Sequence, residues 1–404
     1  MNAVYGGQFE ILKWLYNIYI VQFWAGNDKN NKDKEDDEDD EDDDPFGRSD
    51  VCNAAVITGR LDILRWLHER EFPWNSFTCC LAVRYGNYEI LEYLQENGCP
   101  WDATTFADAI SIPTKSASLE MCVWLHLHGC PFDAKSCANA ASNGQFDILI
   151  WLHENGCPWD YLSCYYATAS ANMEILQYLR DNGCPWNGNV CSNAAANGRL
   201  EILQYLHDNG CPWDESVCVN AAATDHLEIL QYLHDNGCPW DETSCEVAAE
   251  NGHLKVLQYL HNNGCPWDES VCECAAANGR LEILQYLHNN ECPWDESACN
   301  EAAAIGDLET LQYLHNNGCP WDEDICDVAA ANGHLEILQY LLDNECPWDE
   351  DICIEAARNG NLEILQYLYE NDFPLSTKVI KMANKHDHSE IVEWILENEI
   401  VLGS

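Results

Sequence analysis

Proline recurs every 27 residues through most of this chain, at positions 131, 158, 185, 212, 239, 266, 293, 320, 347 and 374, usually inside Gly-Cys-Pro-Trp. A period that strict means one supersecondary unit repeated, each copy burying its apolar face against the next. The 404 residues are therefore expected to form one elongated repeat domain, not the two or three globular domains that length alone suggests. With 16 tryptophans, 18 tyrosines and 47% hydrophobic residues, the chain has apolar surface enough for a continuous core.

Residues 214–240, DESVCVNAAATDHLEILQYLHDNGCPW, show the unit. Asp214 or Ser216 is placed to cap a first helix that ends at Ala223, with acidic residues where a helix N-terminus favours negative charge. A short turn follows, written Asn-Gly in most units, as at Asn251-Gly252. A second helix is expected from about Leu227 to Asp235, with Leu227, Leu230 and Leu233 on one stripe and Glu228, Gln231 and Asp235 outside. Gly237 is placed to end it in a left-handed conformation, and Pro239 prevents its resumption. Counted by the first residue of the second helix, the units begin at Phe9, Leu61, Tyr88, Leu119, Phe146, Met173, Leu200, Leu227, Leu254, Leu281, Leu308, Leu335, Leu362 and Ser389, about fourteen in all. The interval from Phe9 to Leu61 is nearly doubled, and residues 111–118 lengthen the turn before Leu119.

The expected organisation is a truncated N-terminal repeat and apolar cap segment at 1–24, an acidic disordered insertion at 25–50, the repeat array at 51–376 and a C-terminal capping repeat at 377–404. That last repeat loses the Cys and Pro-Trp and gains Lys378, Lys381, Lys385, His386 and His388. The apolar residues 11–25 are interrupted by Lys13, Asn17 and Gln22 and have no basic segment ahead of them, so neither a signal peptide nor a membrane span is expected. An intracellular, cytoplasmic location follows as the default.

Net charge is −50, of which residues 28–44 carry −9. Between Pro212 and Ala357 the only Lys or Arg residues are Lys255 and Arg280. Such a field repels nucleic acid and attracts basic partners. Its simpler reading is that charge keeps a long apolar stack soluble and monomeric.

Ala221-Ala222, the Asn-Gly-His-Leu turn at 251–254 and the apolar run of the second helix resemble the ankyrin repeat. The resemblance covers nearly the whole chain outside residues 18–50 and implies an all-α solenoid of helix-turn-helix units. The usual unit has about 33 residues and opens with Thr-Pro-Leu-His. Here the missing residues fall between Gly210 and Ser216, so the β-hairpin fingers should be shortened or absent, with CPWDE forming a compact turn. The GCPWDE type is also similar to the expanded ankyrin sets of large DNA viruses and some protists, which would place it in a host cytoplasm.

The resemblance further implies a non-catalytic protein-interaction scaffold whose first helices line a concave binding face. Constant positions build such a scaffold, and positions that vary between units are free to carry specificity. The two positions after the first-helix Cys vary most, so Tyr165, Tyr166, Asn193, Asn220, Glu246, Glu273, Asn300, Glu301, Asp327 and Glu355, with Tyr161 nearby, are candidate partner contacts. The tyrosines form an aromatic cluster suited to anchor an interface. A second functional reading is an acidic chaperone or nucleic-acid mimic that captures basic proteins, with residues 28–44 as a flexible electrostatic arm.

Several ladders invite chemistry and have a plainer explanation. Of 24 cysteines, 21 occupy two repeat positions, one in the first helix and one in the Cys-Pro loop. Equivalent cysteines on neighbouring helices should stand roughly 8–10 Å apart, beyond the limit of about 7 Å between Cα atoms for a disulfide. Zinc would want closer pairs than Cys211 and Cys218. The cysteines are read as small buried hydrophobes. Histidines 207, 234, 261, 288 and 315 share one position with Arg180, Leu342 and Tyr369, which favours half-buried packing over a metal or pH sensor. Aromatic ladders on the second helix and after the prolines are read as stacked core between units. Acidic pairs such as Asp214-Glu215 are caps, and no phosphate loop, HExxH helix or nucleophile elbow is present. No catalytic residue, cofactor or metal ligand is assigned.

Overall fold

The computed structural model describes residues 48–111, 119–322, 324–349, 351–398 and 400. The Phe9 repeat with the rest of segment 1–24, the acidic run at 28–44 and nearly all of the 111–118 lengthening lie outside these described residues.

The described residues form 26 helices, nearly all nine residues long, arranged as consecutive hairpins. Each second helix begins at the residue that the 27-residue spacing assigns, from Leu61 to Ser389. Two compact units divide the chain at residues 190 and 191. The first contains the hairpins from Arg48–Ile57 with Leu61–His68 to Tyr161–Ala169 with Met173–Asp181, and the second those from Leu200–Asp208, with the helix before it, to Thr377–Lys385 with Ser389–Glu397. The first described helix starts at Arg48, inside the segment expected to be disordered. Asp50 in its first turn is a residue that a helix N-terminus favours.

A nine-residue helix is too short to be stable alone, so packing must hold it. Within each unit, first helices pack chiefly on the first helices of adjacent repeats and on their own second helices. Ala221, Ala222 and Cys218 are fully buried on the first helix, and their small side chains allow neighbouring first helices to approach closely. On the second helix Leu227–Asp235, the buried residues are Ile229, Leu230 and Leu233. Leu227 is only half-buried, which shifts the expected stripe: the hairpin encloses the i, i+1, i+4 face because both its first helix and the next repeat press on it. Each such side chain contributes about 1.5–3 kcal/mol.

The punctuation follows simple rules. Asp214 is the N-cap of Glu215–Ala223, its side chain accepting a hydrogen bond from the Ser216 N–H, and Asp160, Asp268 and Asp295 do the same. Gly237 has φ +76° and donates to the His234 carbonyl, while Cys238 N–H donates to Leu233, closing the last turn of the second helix. Four repeats place Glu71, Glu291, Glu345 or Asp372 at this same left-handed position, with φ near +60°.

A polar residue after the helix-helix turn reaches back one repeat. His253 Nε2 donates to the Ala223 carbonyl at 3.1 Å, His334 Nε2 to Ala304 at 3.0 Å and Arg280 Nε to Glu250 at 3.1 Å. These carbonyls end first helices, which otherwise lack intrahelical donors. Two of these side chains lie across the turn glycine of the preceding repeat: a Cβ would stand 2.6 Å from His334 at Gly306 and 3.2 Å from Arg280 at Gly252. Glycine suits those two places by its φ and by the room it leaves, whereas Asp225, with φ +60°, stands at the same place before His253.

Candidate functional site

Three constellations recur along the hairpins. The outermost is an aromatic ladder. His207 stacks on Trp213 with centroids 3.9 Å apart, and both meet Tyr232 of the next repeat edge-on, at 6.2 and 6.4 Å. His234, Trp240 and Tyr259 repeat the arrangement, as do His261, Trp267 and Tyr286. Where Arg180 replaces the histidine, its guanidinium sits 4.2 Å from the Trp186 ring centroid. The histidine series is thus the packing partner of the loop tryptophan. The expectation of a stacked core needs correction, because the loop tryptophans are half-buried and Trp348, opposite Leu342 in the repeat, is 43% exposed. They join repeats at the surface, where a Pro-Trp loop too short to fold inward leaves them.

The second constellation is the thiols. All cysteines except Cys274 are buried. The thiols that act on one another are the two cysteines of one repeat, 20 residues apart, not the equivalent positions of neighbouring repeats. In the first unit the neighbouring Cys79 thiol pushes Cys99 above its ordinary range, and Cys137 does so to Cys157 and Cys164 to Cys184. In the second unit the loop thiol does the same to the first-helix thiol in six repeats, from Cys211 on Cys191 to Cys346 on Cys326. The loop thiol also donates to the carbonyl of the first-helix N-cap, as from Cys238 to Asp214 at 3.4 Å and from Cys265 to Asp241 at 3.1 Å. Burial adds to the upward shift of these nine thiols, while Cys326 holds Cys346 below its ordinary value. The available signal was the constancy of both cysteines within one unit. Among the described residues, no group of three or more His, Cys, Asp and Glu side chains is placed to hold a metal ion.

The third is the first-helix face at the variable positions. In the first unit Tyr166 is 37% exposed and meets half-buried Tyr165 edge-on at 5.4 Å, with Tyr161 half-buried at the start of the same helix. In the second unit, Asn193 is 8% exposed and accepts a hydrogen bond from Asn197, so it offers little surface. Asn220 is half-buried and donates to the Ser216 carbonyl. Glu246, Glu273, Asn300, Glu301, Asp327 and Glu355 are half-buried on successive first helices. Burial, then Asp268, Glu242 and other carboxylates, raises the Glu246 carboxyl above its usual range. Burial and Glu301 do the same to Glu273. Asp327 is pushed to about 7 by burial and by Asp349, Asp351, Glu355 and Asp324. Asp327 Oδ1 and Asn300 Oδ1 are buried without a hydrogen-bond partner. Glu355 is paired with Arg358 at 2.8 Å. This face therefore holds crowded carboxylates that its own side chains incompletely neutralise.

No helix among the described residues is long and apolar enough to cross a membrane. No curated protein matches the chain significantly. The crystal structure of the human ASB11 ankyrin repeat domain is similar at 17% identity and a TM-score of 0.38, over 46% of this chain and 98% of that one. The family model described as ankyrin repeats (3 copies) matches residues 191–270, 272–351 and 327–403, more than half of the sequence. By that match, and with helical hairpins lacking extended strands between them among the described residues, the chain belongs to the ankyrin-repeat family.

Proposed function

We propose that this chain is a non-catalytic scaffold that holds a basic protein segment along the first-helix face of residues 191–404. Ankyrin repeats generally mediate protein–protein interaction. The observation that carries the finer reading is the raised carboxyl of Asp327, whose buried oxygen lacks a donor beside Asp349, Asp351 and Glu355. Like charges held together are destabilising, and a Lys or Arg from a partner relieves them while forming charge-assisted hydrogen bonds. Glu246 and Glu273 extend the same requirement over earlier repeats. The Tyr165-Tyr166 pair is the proposed aromatic anchor for a partner of the first unit.

The test is calorimetric titration of the full chain with a lysine- and arginine-rich peptide at low and high salt. Replacing Glu246→Gln, Glu273→Gln and Asp327→Asn together should weaken binding about tenfold or more. Unchanged affinity in the triple variant would sink the proposal. Binding that survives the triple variant but vanishes on deletion of residues 28–44 would instead favour capture by the acidic run.

A further inference from the structure

Two adjacent repeats of the first unit break the pattern on their second helices. The fifth residue of the second helix is Lys, Arg, Glu or Gln in all repeats but these two, which carry Val123 and Ile150, and the ninth is Asp, Glu or Asn in all but one, which carries Leu127. In the helix Leu119–Leu127 only Glu120 and His126 are polar. A helix apolar on every side is normally buried on every side. This one is not: Leu127 is 75% exposed and Leu119 37%, with half-buried Val123 between them.

Leu119, Val123 and Leu127 are spaced by four and so form one ridge along the helix. Together with Glu120 and Trp124 they line a surface groove. Ile150, half-buried, takes the place of Val123 on the adjoining helix Phe146–Glu154, and exposed Tyr88 of the preceding repeat meets Trp124 edge-on at 6.1 Å. Single exposed apolar residues are ordinary. An aligned set standing where other repeats place Gln and Glu is not required by the fold, and such a patch marks a docking surface.

The rim defines the occupant. The second helices Tyr88–Glu96, Leu119–Leu127 and Phe146–Glu154 carry Glu89, Glu92, Glu96, Glu120, Asp147 and Glu154 and neither Lys nor Arg. A second copy of this chain would set one acidic rim against another, and juxtaposed like charges suppress such a pairing. We propose that the ridge of Leu119, Val123 and Leu127 is the docking site for an amphipathic helix of another protein, with aliphatic residues on one face and Lys or Arg flanking them. Such a helix lays its apolar stripe into a hydrophobic groove through anchors at i, i+3, i+4 and i+7. Its cations meet the rim carboxylates, which steers the encounter and fixes the orientation. The site uses second helices of the first unit, whereas the face proposed for basic segments uses first helices of the second.

The experiment titrates the full chain by calorimetry with a synthetic helical peptide of leucine and lysine whose leucines form one stripe. A scrambled peptide of the same composition keeps the charge and loses the stripe, and a leucine-glutamate peptide keeps the stripe and reverses the charge. The striped lysine peptide should bind about tenfold or more tighter than either control. Val123→Gln with Leu127→Glu installs residues that other repeats carry at these places, so the fold is kept, and should abolish the advantage over the scrambled peptide. The triple variant Glu246→Gln, Glu273→Gln and Asp327→Asn should retain it. Equal affinity for the striped and scrambled peptides would overturn the proposal, as would an advantage that survives the double variant or a glutamate peptide that binds as tightly as the lysine one. Self-association of the free chain that the double variant abolishes would assign the ridge to a second copy and overturn it as well.

Discussion

The two faces of a hairpin in the second unit solve opposite problems. On the loop side, His234, Trp240 and Tyr259 satisfy one another with rings in stacked and edge-on contact. On the first-helix side, Glu246, Glu273 and Asp327 are half-buried, and burial and neighbouring carboxylates raise each of them. The contrast separates what the repeat needs in order to stand from what it tolerates at a cost. Costs of the second kind are where binding is to be sought.

The ladder side should break hardest. Trp240→Ala removes a stacked contact at 4.2 Å and an edge contact at 6.3 Å, and should cost about 2 kcal/mol in urea unfolding. Trp348→Ala, at a position 43% exposed, should cost less than half as much. Equal losses would mean that the tryptophans act through their loops and not through the ladder.

The first-helix side should respond in the other direction. Asp327 titrates near 7 when folded, against 3.8 for the unperturbed group, so between those values the folded state binds the extra proton. Its contribution is therefore fully present below about 3.8 and lost as pH rises through about 7. Asp327→Asn should stabilise the protein at pH 8 by about 1–2 kcal/mol after allowance for solvent screening, and the gain should shrink towards pH 5. His261 has the opposite sign: burial lowers its value, so its contribution is present above 6.5 and falls as pH drops below it. A variant without Asp327 that showed the original pH dependence would remove the electrostatic half of the comparison.

The smallest effect tests the loop itself. Glu291 and Glu345 occupy a left-handed position that glycine fills in most repeats. Glu291→Gly should raise stability by about 0.5–1 kcal/mol without changing the unfolding slope. No gain would show that a local contact already offsets the strain.

Much of this was legible in the sequence. The 27-residue period located every described second helix to the residue, because Gly237 and Pro239 end the unit in a way few other residues can. Caps such as Asp214 followed for the same local reason. What the period hid was contact between unlike positions. Cys238 raises the Cys218 thiol from across a hairpin, and His253 reaches Ala223 thirty residues back. A comparison of equivalent residues sees neither. The exposure of the loop tryptophans was hidden as well, since composition marks tryptophan as core and only the short loop holds it at the surface. At the first-helix face the candidates were visible as variation, but the crowding around Asp327 emerged only when Asp349 and Asp351 of the following repeat came beside it.

The backward reach of His253, Arg280 and His334 gives the array a direction. Where such a residue stands, a repeat finishes the one before it, so these hairpins are completed from behind. Within the second unit, trimming whole repeats from the C-terminal end strips the donor from a first helix that stays in place, whereas trimming from the N-terminal end only frees a polar side chain to water. Serial truncation from the two ends of this unit should therefore be unequal in effect even when equal lengths are removed. A chain emerging from the ribosome would leave its newest first helix unfinished until the following turn arrived.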